Sequence, residues 1–432
     1  MSSSDLSSTQ PSSQSTAMNW AVEETAPGLV ASADRAAPIR ALHVLILGGL
    51  SALGPLSTDM YLPALPALSR ELGATMSQTQ LTLSAGILGL ALGQVIAGPS
   101  SDALGRRRPL LIGVAAFALA SLLCIIAPSV AALTILRFVQ GVAGAAGIAI
   151  ALAIVSDLFA GSAQARVFSL LMLVSGLAPI IAPVIGSQLL AFTSWRGIFV
   201  ALALIGIVLL LAVMVGLGET LPQARRQSGG LAASLRAFRD LLLDRRFVGY
   251  AFASGFSFAA GIVYISVSPF ILQNIYDISP QGVGIIFGIN ALGLVIMAQV
   301  GGKLVGRVSS QMLLAWGVAA IAIGATALLV VVLSGIGLVG ILPSLFVTIA
   351  SLGLIAPNAT ALALSNTSTA GSAAALLGVL QLTIGAIAAP IVGLAGTATA
   401  MPMAAAIAAF GIAALLTFIV FCRPAPALAQ GA

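Results

Sequence analysis

The sequence predicts an all-α integral membrane protein with twelve transmembrane helices in two pseudo-symmetric six-helix halves. Three observations carry this expectation. The 432-residue chain is 59% hydrophobic and only 7% charged, against roughly 45–50% apolar and about 25% charged in soluble domains. No soluble globule of this length hides so much apolar surface, so lipid is the solvent. Twelve apolar segments approach the roughly 20 residues that a spanning helix needs. The second six of them repeat features of the first.

The spans are expected near 42–64, 79–99, 109–128, 131–155, 166–190 and 197–216, then near 248–271, 281–302, 311–333, 339–362, 373–396 and 402–422. A polar stretch from Glu219 to Phe247 separates the two sets. The organisation expected is a cytoplasmic N-terminal tail (1–40), a first half (41–217), a basic linker (218–247), a second half (248–423) and a short tail (424–432). The first forty residues are rich in Ser, Ala and Thr and lack the order of a cleavable signal peptide; they read as a disordered tail.

Charge placement sets the expected orientation. With the N-terminus inside, 15 of the 18 basic residues fall on the cytoplasmic side. Only Arg70 and Arg196 fall outside, and Arg137 lies within a span, so the positive-inside rule puts both termini and the linker in the cytoplasm. The net charge of +6 does not imply nucleic-acid binding, because the arginines occupy short gaps between apolar runs rather than one patch. One histidine and two isolated cysteines, Cys124 and Cys422, leave no metal-ligand cluster. No nucleophile–base pair or phosphate loop is visible, and the linker is too short for a catalytic domain. No cofactor is expected.

The halves repeat. Pro63 precedes Gln94 by 31 positions, and Pro269 precedes Gln299 by 30. Each half then reaches a Gly-rich basic turn: Gly98, Asp102, Gly105 and Arg106 in the first, Gly302, Lys303, Gly306 and Arg307 in the second. Two similar halves are what an alternating-access transporter uses, with its site at mid-membrane between them.

Charges inside spans are costly and therefore functional candidates. Asp59 is expected about 25 Å from the inner end of the first helix and Arg137 at about 21 Å on the fourth, from a rise of about 1.5 Å per residue. At such a site desolvation favours the neutral acid while a nearby guanidinium favours the ionised one, and an alternating cavity changes both. A proton-coupling site follows; a static ion pair between two helices, or a merely wet acid near the interface, are the alternatives. Tyr61, Gln140, Asn290, Asn358 and Gln381 are candidates for lining a substrate cavity, with interhelical hydrogen bonding as the bland alternative. Gly98, Asp102, Gly105 and Arg106 are expected to form a conformational latch at the turn. Gly141, Gly144 and Gly147 keep one face of the fourth helix thin, and Gly176, Pro179, Pro183 and Gly186 give the fifth a kinked, close-packing face.

The segments "STDMYLPALPAL", "GQVIAGPSSDALGRRRP", "LRFVQGVAGAAG", "LMLVSGLAPIIAPVIG" and "GFSFAAGIVYISVSPFILQ" resemble the major facilitator superfamily, and within it the drug:proton antiporters of the bicyclomycin and chloramphenicol resistance branch. The resemblance runs from about Ala41 to Arg423. It implies the major-facilitator fold and proton-driven export of small drugs from the bacterial plasma membrane by a monomer. Asp59 would be the acidic first-helix residue, Arg137 the motif B arginine, Asp102 and Arg106 the motif A charges, and the Gly176–Gly186 segment motif C. Ala103, Ser156 and Ala182 depart from residues common in these motifs. Export of an endogenous metabolite by the same fold is the alternative expectation.

Overall fold

The computed structural model describes residues 41–159, 161–223, 226, 238–365, 370–396 and 399–422. Both predicted tails and residues 224–225 and 227–237 of the linker lie outside the described residues. Twelve long helices are present among those described: α1 (Ala41–Asp59), α2 (Met76–Leu104), α3 (Arg107–Ile125), α4 (Val130–Leu158), α5 (Gly161–Leu189), α6 (Trp195–Gly216), α7 (Arg245–Asn274), α8 (Pro280–Leu304), α9 (Ser310–Leu333), α10 (Leu338–Leu364), α11 (Ala370–Gly393) and α12 (Met401–Phe421). Ten are long and apolar enough to cross a membrane, and α5 adds the apolar stretch Gly176–Leu189. Polar residues set several starts. Thr75 opens α2 with a capping box to Gln78, and Ser129, Ser194, Asp244, Ser279 and Ser309 cap α4, α6, α7, α8 and α9.

α6 shows why lipid is the solvent. Ile198, Phe199, Leu202 and Val213 are buried, yet Val200, Leu204, Val208, Leu211 and Val215 on the opposite face are exposed and equally apolar. A helix apolar all round suits a membrane span and not a water-facing surface.

Packing repeats with the sequence. In the first half α2 and α3 pack on α4, α3 on α6, and α1 on α4, α5 and α6; in the second, α8 and α9 pack on α10, α9 on α12, and α7 on α10, α11 and α12. Each of these pairs in one half has its counterpart in the other. The halves meet through α2 against α11 and through α8 against α5, which exchange under the same pseudo-twofold. Glycines permit the closest crossings. Gly141 of α4 lies against the Gly86 carbonyl of α2, and Gly353 of α10 against the Leu294 carbonyl of α8. Gly144 faces Phe117 of α3 and Gly147 the Leu50 carbonyl of α1, so the three-residue glycine spacing serves three different neighbours.

Two expectations need correcting. The first span does not run to residue 64: α1 ends at Asp59, followed by a 3-10 turn (Leu62–Ala64) and a short helix (Leu65–Glu71). Pro63 and Pro66 remove backbone donors and break the helix there. In the second half, with Pro269 alone, α7 runs unbroken to Asn274. The turn after α2 is also shorter than expected. Gly98 and Asp102 belong to α2, and the turn is made at Gly105 with φ 89°, matched by Gly306 with φ 93° after α8. Both conformations favour glycine.

Candidate functional site

A cavity of about 450 Å³ lies between the halves, walled by α1, α2, α4 and α5 on one side and α7, α8, α10 and α11 on the other. Its lining is almost wholly apolar, with Ile87, Leu90, Ile148, Phe258, Ile262, Phe287 and Leu294 among the walls. That size and character suit a drug-sized ligand. Asp59 lines it, half-buried at the broken end of α1, and its carboxylate has no hydrogen-bond or ion-pair partner among the described residues. Pro179 and Pro183 of α5 complete the wall.

No ion pair joins Arg137 to Asp59. Arg137 is 1% exposed inside the first half. Its guanidinium donates to Gln140 Oε1, and Gln140 donates on to Ser121 Oγ at 2.7 Å. Its Cζ stands 5.0 Å from the Tyr61 ring centroid and 5.8 Å from that of Phe199, so two aromatic faces take the place of an anion. Its Nε has no partner. Tyr61 is itself buried and hydrogen-bonded to Thr82. Similar expected depth therefore does not mean contact: Arg137 points into its own half, whereas Asp59 lines the cavity between halves.

Of the five cavity candidates, Asn290 is part of the wall. Tyr61 and Gln140 belong to the Arg137 cluster. Gln381 donates to Ser254 Oγ at 2.6 Å, tying α11 to α7, and Asn358 donates to the Leu354 carbonyl of its own helix at 2.8 Å. Tyr264, which the sequence reading did not single out, also lines the cavity and bonds Asn290.

The charged residues of the expected latch are in contact, with Asp157 and Glu219 beside them. Arg106 pairs with Asp102, donates Nε to Asp157 at 2.9 Å and reaches Ser101 Oγ at 2.8 Å. Glu219, just beyond α6, accepts from the Arg106 amide at 2.8 Å and the Arg107 amide at 3.3 Å at the start of α3. A Cβ at Gly105 would approach Glu219 Oε2 to 2.5 Å, so the glycine leaves room for the acid as well as making the turn. A Cβ at Gly98 meets open space, and no close approach explains that residue. Burial raises the Glu219 carboxyl, but the amides of Leu221, Arg106 and Arg107, with Arg226 beside them, outweigh it and hold the group below its ordinary value. A depressed carboxyl stabilises the fold above its unfolded-state pKa and loses that contribution as pH falls through the folded value. Glu219→Gln is therefore expected to lower stability by about 1 kcal/mol at neutral pH. The melting temperatures of variant and parent should converge below about pH 4; an offset that persists unchanged there would rule out the charge as its source.

The opposite end is where the halves are tied together. Ser77 Oγ donates to the Pro390 carbonyl at 2.9 Å, Gln80 Nε2 to Ser266 at 3.4 Å, Gln273 Nε2 to Pro63 at 3.0 Å and Gln281 Nε2 to Ser187 at 3.1 Å. These four are the inter-half hydrogen bonds between described residues. Bare backbone permits the approach: a Cβ on Gly393 would stand 2.8 Å from Ser77 Cα, and one on Gly284 would stand 2.8 Å from Ser187 Cβ and 3.0 Å from the Pro183 carbonyl. Of the Gly176–Gly186 segment, Gly176 and Pro183 face the other half, whereas Gly186 packs within the first. Gly176 faces Val295 of α8, the Pro183 carbonyl faces Gly284, and Gly186 lies on the Met60 carbonyl at the end of α1.

Residues 47–390 match the sequence profile of the Major Facilitator Superfamily. The chain is 40% identical over 363 residues to an uncharacterized MFS-type transporter, YdgK of Bacillus subtilis (strain 168), covering 83% of this chain and 90% of that one. It is 31% identical over 363 residues to a bicyclomycin resistance protein homolog of Haemophilus influenzae, covering 84% and 91%. The fold resembles that of the nucleoside transporter NupG, with a TM-score of 0.74 at 14% identity over 88% of this chain and 99% of that one. The repeated halves, the cavity between them and these similarities agree: the chain belongs to the Major Facilitator Superfamily.

Proposed function

We propose that the protein is a proton-coupled antiporter that exports neutral or amphipathic drug-sized molecules, chloramphenicol- or bicyclomycin-like, across the bacterial plasma membrane. The observation that carries this reading is one carboxylate, Asp59, without a partner among the described residues, in an almost wholly apolar cavity between the two halves. A bare carboxylate in such a place keeps its charge only while water reaches it. A proton or an arriving cargo therefore competes with water for the same position, and occupancy by one disfavours the other. The positive-inside rule puts the Arg106–Arg108 end in the cytoplasm. The tied end is then periplasmic, and the cavity is poised to load from inside. Rocking of the halves releases cargo outside, a proton returns on Asp59, and its release inside resets the cycle. The proton gradient supplies the energy, and a single chain suffices because both halves of the site are covalently present. The name of the Haemophilus relative supports a drug cargo.

A susceptibility panel in an efflux-deficient bacterium expressing the chain tests this. Raised resistance to chloramphenicol-like or bicyclomycin-like compounds, with efflux that stops when the proton gradient is collapsed, is expected. Unchanged susceptibility to every compound, with the protein confirmed in the membrane, would move the assignment to an endogenous metabolite.

A further inference from the structure

The polar groups of the cavity wall are few, and most are already engaged. Ser51 Oγ donates to the Leu47 carbonyl at 2.9 Å and Thr58 Oγ1 to the Gly54 carbonyl at 3.0 Å, each within α1. Asp59, when ionised, offers only acceptors. On the opposite wall Tyr264 of α7 and Asn290 of α8 are 1% and 3% exposed, and Asn290 Nδ2 lies 2.6 Å from Tyr264 Oη. The Tyr264 ring is held edge-on to Phe287 with centroids 5.1 Å apart. With the amide as oriented, the phenol accepts from Asn290 and its own proton has no acceptor among the described residues. With the amide turned over, the phenol would donate to the amide oxygen and leave the NH2 group free. In either orientation the pair keeps an unspent donor in a cavity that otherwise has none. A buried donor without an acceptor costs about 1–3 kcal/mol, and an acceptor on a bound molecule removes that cost.

We propose that Tyr264 is the cargo-contacting donor of the cavity, positioned by Asn290, and that it selects neutral amphipaths carrying a carbonyl, nitro or hydroxyl oxygen on a compact apolar body. This rests on the drug-export reading and narrows it. The two polar subsites belong to different halves: Asp59 takes the donor side of the cargo from the first, and Tyr264 the acceptor side from the second. A cargo that satisfies both bridges the halves. A lipophilic cation without oxygen can use Asp59 alone.

Binding of chloramphenicol, which carries amide, nitro and hydroxyl groups, and of tetraphenylphosphonium, which carries none, should be measured on the purified full chain by calorimetry. Tyr264→Phe keeps the ring against Phe287 and is expected to weaken chloramphenicol about tenfold, the equivalent of one hydrogen bond. The change also takes away the acceptor of Asn290 Nδ2, so a modest fall in the melting temperature of the empty protein is expected beside it. Asn290→Leu, of similar volume, should weaken chloramphenicol in the same direction. A chloramphenicol Kd within twofold of the parent in both variants overturns the proposal. A parent that binds tetraphenylphosphonium but not chloramphenicol overturns the cargo class while leaving drug export standing. A parent that binds neither overturns both.

Discussion

Cells producing Asp59→Asn protein are expected to be as drug-sensitive as cells without the transporter, although the variant folds and still binds cargo. The amide keeps the shape and volume of the side chain, which has no partner to lose among the described residues. What it removes is the ability to take up and release a proton. One proton moving down a potential of 100 mV supplies about 2.3 kcal/mol, enough to hold roughly a fifty-fold concentration ratio of a neutral cargo. In vesicles with an imposed proton gradient that ratio should fall to one in the variant, while exchange of labelled for unlabelled cargo continues. Uphill export at parental levels would show that another group carries the proton. Loss of exchange as well would show that Asp59 is needed for cargo and not only for coupling.

The second large effect is expected at the tied end. Gly284→Val combined with Gly393→Val places branched side chains where α8 meets α5 and α11 meets α2. Each new Cβ would come within 2.8 Å of a carbon on the other half, so closure requires the helices to part. Overpacking of this kind costs about 1–3 kcal/mol per site, and the two sites lie on opposite sides of the interface. Because the strain exists only when this end is closed, the two sites together shift the population away from that state by roughly thirty-fold to ten-thousand-fold. Spin labels at Gln78 and Asp277, both exposed, should report longer distances across this end, and export should fall at least tenfold. An unchanged distance distribution would mean that the glycines serve packing alone.

The parts of this architecture legible in sequence are those that depend on composition along one helix. Lipid-length apolar runs gave the spans, because every backbone group in a membrane helix must be satisfied within its own segment. Glycines marked the turns at Gly105 and Gly306 in sequence, but not which glycine turns the chain, since Gly98 and Gly302 lie inside α2 and α8. What depends on the azimuth of a side chain was not legible. Asp59 and Arg137 were expected at similar depth, but depth does not say that one faces the cavity and the other Tyr61, Phe199 and Gln140. Gln381 and Asn358 were read as cavity candidates for the same reason, and bond Ser254 and Leu354 instead. The break after Asp59 had a visible signal in Pro63 and Pro66, overridden by the length of the apolar run. Glu219 could have been found: it is an acid directly after a span, on the same side as three consecutive arginines. Tyr264 carries no comparable mark within its apolar helix; only the packing of α7 on α8 sets it beside Asn290.

Each of the four ties across the closed end finishes on a main-chain carbonyl, at Pro390, Ser266, Pro63 and Ser187. The accepting side of every tie is thus written into the course of the chain, and no replacement of the accepting residue's side chain deletes it. Only the four donors, Ser77, Gln80, Gln273 and Gln281, are exposed to loss by mutation. A lineage that drifts in α11 or at the end of α5 therefore keeps its acceptors, and variation there is free to follow lipid thickness or cargo. Drift in the donors would instead alter how firmly the two halves hold together at this end.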